Sequence, residues 1–176
     1  MVRKAVRSLA ALALFGAVAA PTQARAFDLG VGVNGGVILI GTRPRFAVSP
    51  HVDIAWRTDA GFLLALRDVL SILPATDIHG AGAYNHASVA IGYAWKTGTF
   101  SLGPSLAVYS VAACGPQWCD RLSGLAPGAT AQLAYYLPGP FGVSASATLD
   151  WLTGSAVLPA GVAATVLVGP LLRWNE

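Results

Sequence analysis

From Phe27 onward, apolar residues fall on every second position, and this period constrains the fold more than any other property of the chain. Side chains alternate between the two faces of a strand, whereas a helix would repeat them about every 3.6 residues. In 45–57 one face carries Phe46, Val48, Pro50, Val52, Ile54 and Trp56; the other carries Arg45, Ala47, Ser49, His51, Asp53, Ala55 and Arg57. In 99–109 Phe100, Leu102, Pro104, Leu106 and Val108 oppose Ser101, Gly103, Ser105, Ala107 and Tyr109. The same alternation runs through 86–96 and 141–151, and weaker versions occupy 27–40, 61–69, 125–136 and 156–174, so the chain offers eight candidate strands. Pro50 and Pro104 each remove a ladder donor and predict a bulge.

Composition says what surrounds these strands. Of the 176 residues 55% are hydrophobic and only 11% charged, and the mean hydropathy is +0.59. Soluble domains carry roughly 25% charged residues, so an ordinary cytosolic enzyme and a disordered chain are both disfavoured. The less apolar face of the strands is mostly Gly, Ala, Ser and Thr. That is too uncharged for a soluble exterior but small enough to fill a narrow lumen.

The first residues read as an export signal. Arg3, Lys4 and Arg7 precede an apolar run from Leu9 to Ala20, too short for a spanning helix, and Ala24-Arg25-Ala26 is an A-x-A cleavage pattern. Residues 1–26 are expected to be removed, leaving a single domain over 27–176. The net charge of +3 belongs to this leader: it holds four of the eleven Lys/Arg and none of the eight Asp/Glu. The remaining Arg43, Arg45, Arg57, Arg67, Lys96, Arg121 and Arg173 are scattered singly, without the basic patch a nucleic-acid binder needs. Export also lets Cys114 and Cys119 persist as a disulfide across Gly115-Pro116-Gln117-Trp118. Zinc would need further ligands, and a catalytic redox pair normally has the tighter C-x-x-C spacing.

The connections alternate too. Thr58-Asp59-Ala60, Thr97-Gly98 and Leu137-Pro138-Gly139-Pro140 are short turns; 41–44, 70–85, 112–124 and 153–155 are mostly longer. In this pattern the chain resembles the eight-stranded bacterial outer-membrane β-barrel proteins. The resemblance implies an antiparallel up-and-down transmembrane barrel in the outer membrane, with periplasmic turns and extracellular loops. It also implies that aromatics at strand ends (Phe46, Trp56, Tyr93, Trp95, Phe100, Tyr135, Phe141, Trp151 and Trp174) form interfacial girdles against membrane lipid. Members commonly end in an aromatic residue, whereas Asn175-Glu176 follow Trp174 here.

A structural or surface-interaction role is the leading expectation, with 70–85 and 112–124 as contact loops and a lumen filled by small and polar side chains. Arg45, Ser49, His51, Asp53, Arg57, Arg67 and Asp150 are expected to form one hydrogen-bonded network there. Ser49, His51 and Asp53 are also the residue types of acyl-transfer catalysis, although three alternate residues on one strand rarely give nucleophile–base geometry. His86-Ala87-Ser88 resembles the His-x-Ser of outer-membrane lipid A deacylases, but Val89 stands where Asn usually follows and the pair falls on the lumen face. His79, beside Asp77, reads as a solvated loop residue, and nothing in the chain calls for a cofactor or metal. Two other architectures share parts of the pattern: a soluble secreted β-barrel with an apolar ligand, and a membrane helix over Trp151 to Leu172, which Pro159, Gly161, Gly169 and Pro170 make a poor one. Alkylation after non-reducing extraction is expected to label neither Cys114 nor Cys119; labelling of either would contradict the staple.

Overall fold

The structure is a computed structural model and describes residues 26–40, 43–75, 80–114, 119–152 and 161–175. The leader expected over 1–26 lies outside the described residues apart from Ala26, as do Asp77, His79 and the segments 115–118 and 153–160.

Eight strands follow one another: β1 (Ala26–Ile40), β2 (Arg43–Arg57), β3 (Phe62–Leu73), β4 (Gly82–Trp95), β5 (Gly98–Cys114), β6 (Cys119–Tyr136), β7 (Phe141–Leu152) and β8 (Gly161–Asn175). Each pairs antiparallel with its neighbours in sequence, and β8 returns to β1, so the sheet closes into an up-and-down barrel. The pairing fixes the stagger. From Phe27 the partners run Trp56, Leu64, Ile91, Leu102, Ala131, Ala147 and Val166 and return to β1 at Val37, ten residues along the strand. Such a stagger tilts the strands by about 40° to the barrel axis.

Of the possible membrane helix over Trp151 to Leu172, the described residues 151–152 and 161–172 belong to β7 and β8 instead. The loops expected over 70–85 and 112–124 are also corrected, because strand pairing continues through half of the first and most of the second. β3 runs on to Leu73, β4 starts at Gly82, β5 ends at Cys114 and β6 starts at Cys119, leaving 74–81 and 115–118 as connections. Polar residues such as Arg121 and Ser123 hid the second extension. A ladder needs only backbone partners, so a hairpin leaving an apolar layer keeps its hydrogen bonds while losing its apolar alternation.

The bulges expected at Pro50 and Pro104 are absent. The β2–β3 ladder passes from Val48–Ile72 to His51–Val69 without pairing Ser49 or Pro50, and the register on both sides is the same. The β4–β5 ladder likewise skips Gly103 and Pro104, and the β1–β8 ladder skips Gly169 and Pro170. Proline without its N–H interrupts the hydrogen bonds but does not shift the strand. At Gly103 and Gly169 the neighbouring backbone closes in: a Cβ would stand 2.0 Å from the Val89 carbonyl oxygen and 2.2 Å from that of Val33.

Burial follows the period of two. Ala47, Ser49 and His51 of β2 are buried while Phe46, Val48 and Val52 are exposed, and Ser101, Ser105 and Ala107 alternate with exposed Phe100, Leu102 and Leu106. The apolar face therefore points outward, which overturns the soluble-barrel reading with its apolar interior for a ligand. At the turn end every strand contributes an outward aromatic: Phe27, Trp56, Phe62, Tyr93, Phe100, Tyr135, Phe141 and Trp174. Phe27 and Trp56 meet edge to face at 5.9 Å. Among the described residues only Phe46 and Trp151 answer them at the loop end. On β2 and β7 the apolar run between its end aromatics (Trp56 to Phe46, Phe141 to Trp151) covers about 25 Å of barrel height at about 3.4 Å per residue and this tilt.

Gly103→Ala is expected to destabilise the barrel by about 2 kcal/mol or more, because backbone cannot yield as a side-chain tip can. Gly35→Ala, where a Cβ would meet nothing within 4 Å, is expected to be nearly silent. Urea unfolding of both variants in lipid vesicles distinguishes them, and equal midpoints would refute the close approach.

Candidate functional site

Among the described residues the inward face gathers most of the polar chemistry, and it is layered along the axis. At the turn end Asp28 of β1 lies between two guanidiniums, Arg57 Nη2 at 3.3 Å and Arg173 Nε at 3.3 Å. Arg173 also stacks over the Tyr136 ring, 4.1 Å from its centroid. A cavity of about 50 Å³ opens just inside this layer, bounded by Asp28, Asp53, Arg67, Gln132, Tyr136 and Arg173 among others. That is room for a few waters.

The next layer centres on Arg67 of β3. Its Nε stands 3.0 Å from Asp53 Oδ1, and Asp53 Oδ2 is 3.4 Å from His51 Nε2. Arg67 Nη2 donates to Ser144 Oγ at 3.4 Å, and Ser144 donates onward to Asn34 Oδ1 at 3.1 Å. Gln132 Nε2 donates to Ser88 Oγ at 3.0 Å alongside.

Asp150 of β7 is the hub of a third cluster and is fully buried. His86 Nε2 is 2.6 Å from its Oδ2, Tyr84 OH donates to the same oxygen at 3.2 Å, and Ser105 Oγ donates to Oδ1 at 3.3 Å. Gly128 on β6 makes the room: a Cβ there would lie 2.1 Å from Asp150 Oδ1. Tyr84 stacks on Tyr109, with centroids 5.8 Å apart. Above them the lumen is apolar. Ile38, Leu73, Tyr109, Val111, Leu152 and Leu167 form one buried cluster with Tyr84, and beyond it Arg45 donates to the Gly80 and Pro74 carbonyls of the β3–β4 connection.

The seven residues expected to form one network therefore separate. Asp53, His51 and Arg67 come together; Arg57 turns to Asp28, Asp150 to His86, and Arg45 to backbone carbonyls. Ser49 Oγ pairs with Ser71 Oγ at 2.8 Å and not with His51, so no nucleophile meets a base on β2. The stagger explains the separation, because inward residues a few places apart on one strand face different neighbours across the lumen. The expectation of small and polar filling holds for much of the lumen, where Ser49, Ser71, Ser144, Thr165 and Asp150 are buried, but toward the loop end large apolar side chains such as Ile38, Leu73 and Leu152 join them. Asp28, Tyr84, Ser105 and Arg173 were overlooked, although the same inward parity, carried through β1 and β8 and along 82–85, marks each of them. The side chains of Cys114 and Cys119 lie outside the described residues; their backbones pair directly.

Asp150→Ala leaves His86, Tyr84 and Ser105 without their shared partner and is expected to cost about 3–5 kcal/mol, whereas Tyr84→Phe removes one hydrogen bond and is expected to cost about 1 kcal/mol. Unfolding midpoints in lipid vesicles measure both, and a Tyr84 variant as damaging as the Asp150 variant would remove Asp150 from its central position.

Comparison with solved structures bears on this geometry. Neisserial surface protein A aligns with a TM-score of 0.57 at 10% identity, over 85% of this chain and 99% of that one. The N-terminal β-barrel domain of Pseudomonas aeruginosa OprF aligns at 0.55 and 12% identity, over 85% and 97%. Ail, the attachment invasion locus protein of Yersinia pestis, solved with the heparin analogue sucrose octasulfate, aligns at 0.57 and 11%, over 85% and 98%. No protein-family model and no curated protein matches the sequence. With an apolar exterior, a closed antiparallel sheet and these neighbours, the chain has the fold of the eight-stranded outer-membrane β-barrels.

Proposed function

We propose that this protein is a closed, non-conducting barrel of the bacterial outer membrane with a structural or surface-contact role and no catalytic activity. The observation that carries this reading is the blocked lumen. Tyr84, Leu73 and Leu152 fill its loop-ward half, and the inner void of about 50 Å³ lies on the turn side. A diffusion pore would need a continuous water path, which eight strands filled with side chains leave no room for.

In this reading residues 1–26 are cleaved on export, the turns face the periplasm and the 74–81, 115–118 and 153–160 connections face outward. The β5–β6 hairpin is the most prominent contact element. Its ladder runs to Cys114–Cys119, while β4 follows β5 only to Val111 and β7 follows β6 only from Gly128. Its outward apolar run ends near Val108 and Leu125, so its tip stands in water. Directly opposed residues of an antiparallel ladder have Cα atoms about 4.5–5.5 Å apart, within reach of a disulfide, which supports Cys114–Cys119 as the staple of that tip. Surface contact is in keeping with Ail, whose structure holds a heparin analogue.

A lipid-cleaving role would need a lipid-facing His and Ser. His86 is buried against Asp150, and Ser88 accepts from Gln132 inside the barrel, so the resemblance to lipid A deacylases stops at the sequence.

The mature protein is expected to require detergent for extraction, to migrate faster before boiling than after it on a denaturing gel, and to add no steady conductance to a planar bilayer. A mature protein soluble without detergent would overturn the membrane reading, and stable channel steps would overturn the closed lumen.

A further inference from the structure

Along the outward face, between the turn-end aromatic ring and the level of Phe46 and Trp151, the described residues are apolar or glycine except at Asp68, at Asn85 and, on the rim, at Ser110. Asp68 lies on β3, six residues beyond Phe62 of the ring, and Asn85 lies diagonally across on β4. Asn85 Nδ2 donates to Asp68 Oδ1 at 3.1 Å. At about 3.4 Å per residue and about 40° of tilt, Asp68 stands about 15 Å above the ring in a belt about 25 Å tall.

A carboxyl and a carboxamide on this surface are costly, and an ionisable group within a membrane is by default a functional one that has a partner. The pair does not satisfy itself. The Asn85 amide has two N–H donors and one acceptor, the Asp68 carboxyl has two oxygens, and a single hydrogen bond joins them. Ala83 and Ala87, the outward neighbours of Asn85 along β4, leave the pair unshielded and let another surface come close. Lipid headgroups are poorly placed to reach Asp68, because Leu70 and Ile72 continue the apolar surface of β3 beyond it and are 42% and 48% exposed.

We infer that Asp68 and Asn85 are the centre of an interface through which two copies of this chain associate in the membrane, face to face across β3 and β4. This inference rests on the reading that the outward face meets lipid. Copies inserted in the same direction are related by a two-fold axis along the membrane normal, so each residue meets residues at its own depth. Asn85 starts two residues further toward the loop end than Asp68, but its amide nitrogen lies 3.1 Å from the Asp68 carboxyl, so the polar tips, though not the backbones, come to nearly one depth. Across the axis the free N–H of Asn85 in one copy reaches the Asp68 carboxyl of the other, and the reciprocal bond forms by symmetry. The face is self-complementary: one donor and one acceptor set, each matched by its own copy. Polar side chains in lipid are known to join spans in this way, with small neighbours allowing close approach.

The test counts copies per particle by single-molecule photobleaching of the labelled mature protein in lipid vesicles, and by sedimentation equilibrium in a mild detergent. The wild type is expected to contain two copies. The double variant Asp68→Leu with Asn85→Leu is expected to contain one, with dimerisation at least tenfold weaker, while its faster migration before boiling shows an intact barrel. Asp68→Asn keeps an acceptor and is expected to retain the pair of copies. A wild type that stays single at high protein-to-lipid ratio overturns the inference, as does a double variant that stays paired. A single-copy wild type that carries one tightly held lipid, lost in the double variant, overturns it in favour of a headgroup site. A mature protein that needs no detergent would instead defeat the membrane reading on which this rests, and that result is read before any copies are counted.

Discussion

An apolar surrounding offers nothing to a backbone N–H or C=O, and this constraint lies beneath the rest of the structure. A sheet with a free edge would leave a row of such groups unanswered; a sheet closed on itself leaves none. Closure requires β8 to meet β1, and the ten-residue stagger between Phe27 and Val37 is how eight strands of this width do so. The prolines respect the same rule. Pro50, Pro104 and Pro170 interrupt one ladder each while the register holds on both sides, so the breaches remain local.

Closure also makes an inside, and the inside is sorted by what can be satisfied there. Charged groups near the turn end sit beside a small cavity that can hold water, as Asp28, Arg57 and Arg173 do. Deeper charges need protein partners: Arg67 has Asp53 and Ser144, and Asp150 has His86, Tyr84 and Ser105. Loop-ward of these an apolar cluster packs like a soluble core, and Arg45 beyond it is held by backbone carbonyls. The same alternation thus produces two hydrophobic regions of different origin, one turned to the surroundings and one sealed within.

Much of this was legible in the chain. The alternation in 45–57, 86–96, 99–109 and 141–151 assigns the faces of β2, β4, β5 and β7 as the structure has them, and the sequence of short and long connections matches the order of strands. Strand ends were not legible beyond Leu70 and before Leu125. Ladder hydrogen bonds carry no side-chain signature once a strand leaves the apolar layer, and Gly124, Ser123 and Arg121 read as loop. The polar residues of the lumen were legible as a set but not as partners. Arg57 and Asp53 share the inward face of β2, yet Arg57 answers Asp28 on β1, and that choice depends on the tilt.

By itself the sequence determined a strand period, a surface too apolar for water, and which residues turn inward, because these depend only on side-chain chemistry and on the two-residue repeat of an extended chain. Tertiary structure alone decided which inward residues meet, since partners across a lumen are set by the stagger of a closed sheet and by no local pattern. It also decided that large apolar side chains meet inside the lumen, because Tyr84, Leu73 and Leu152 come from three strands and join one cluster only when closure brings them together. Finally, it gave Asp68 and Asn85 their place on the outer wall: adjacent strands in register bring two polar residues, seventeen positions apart in the chain, within 3.1 Å of each other.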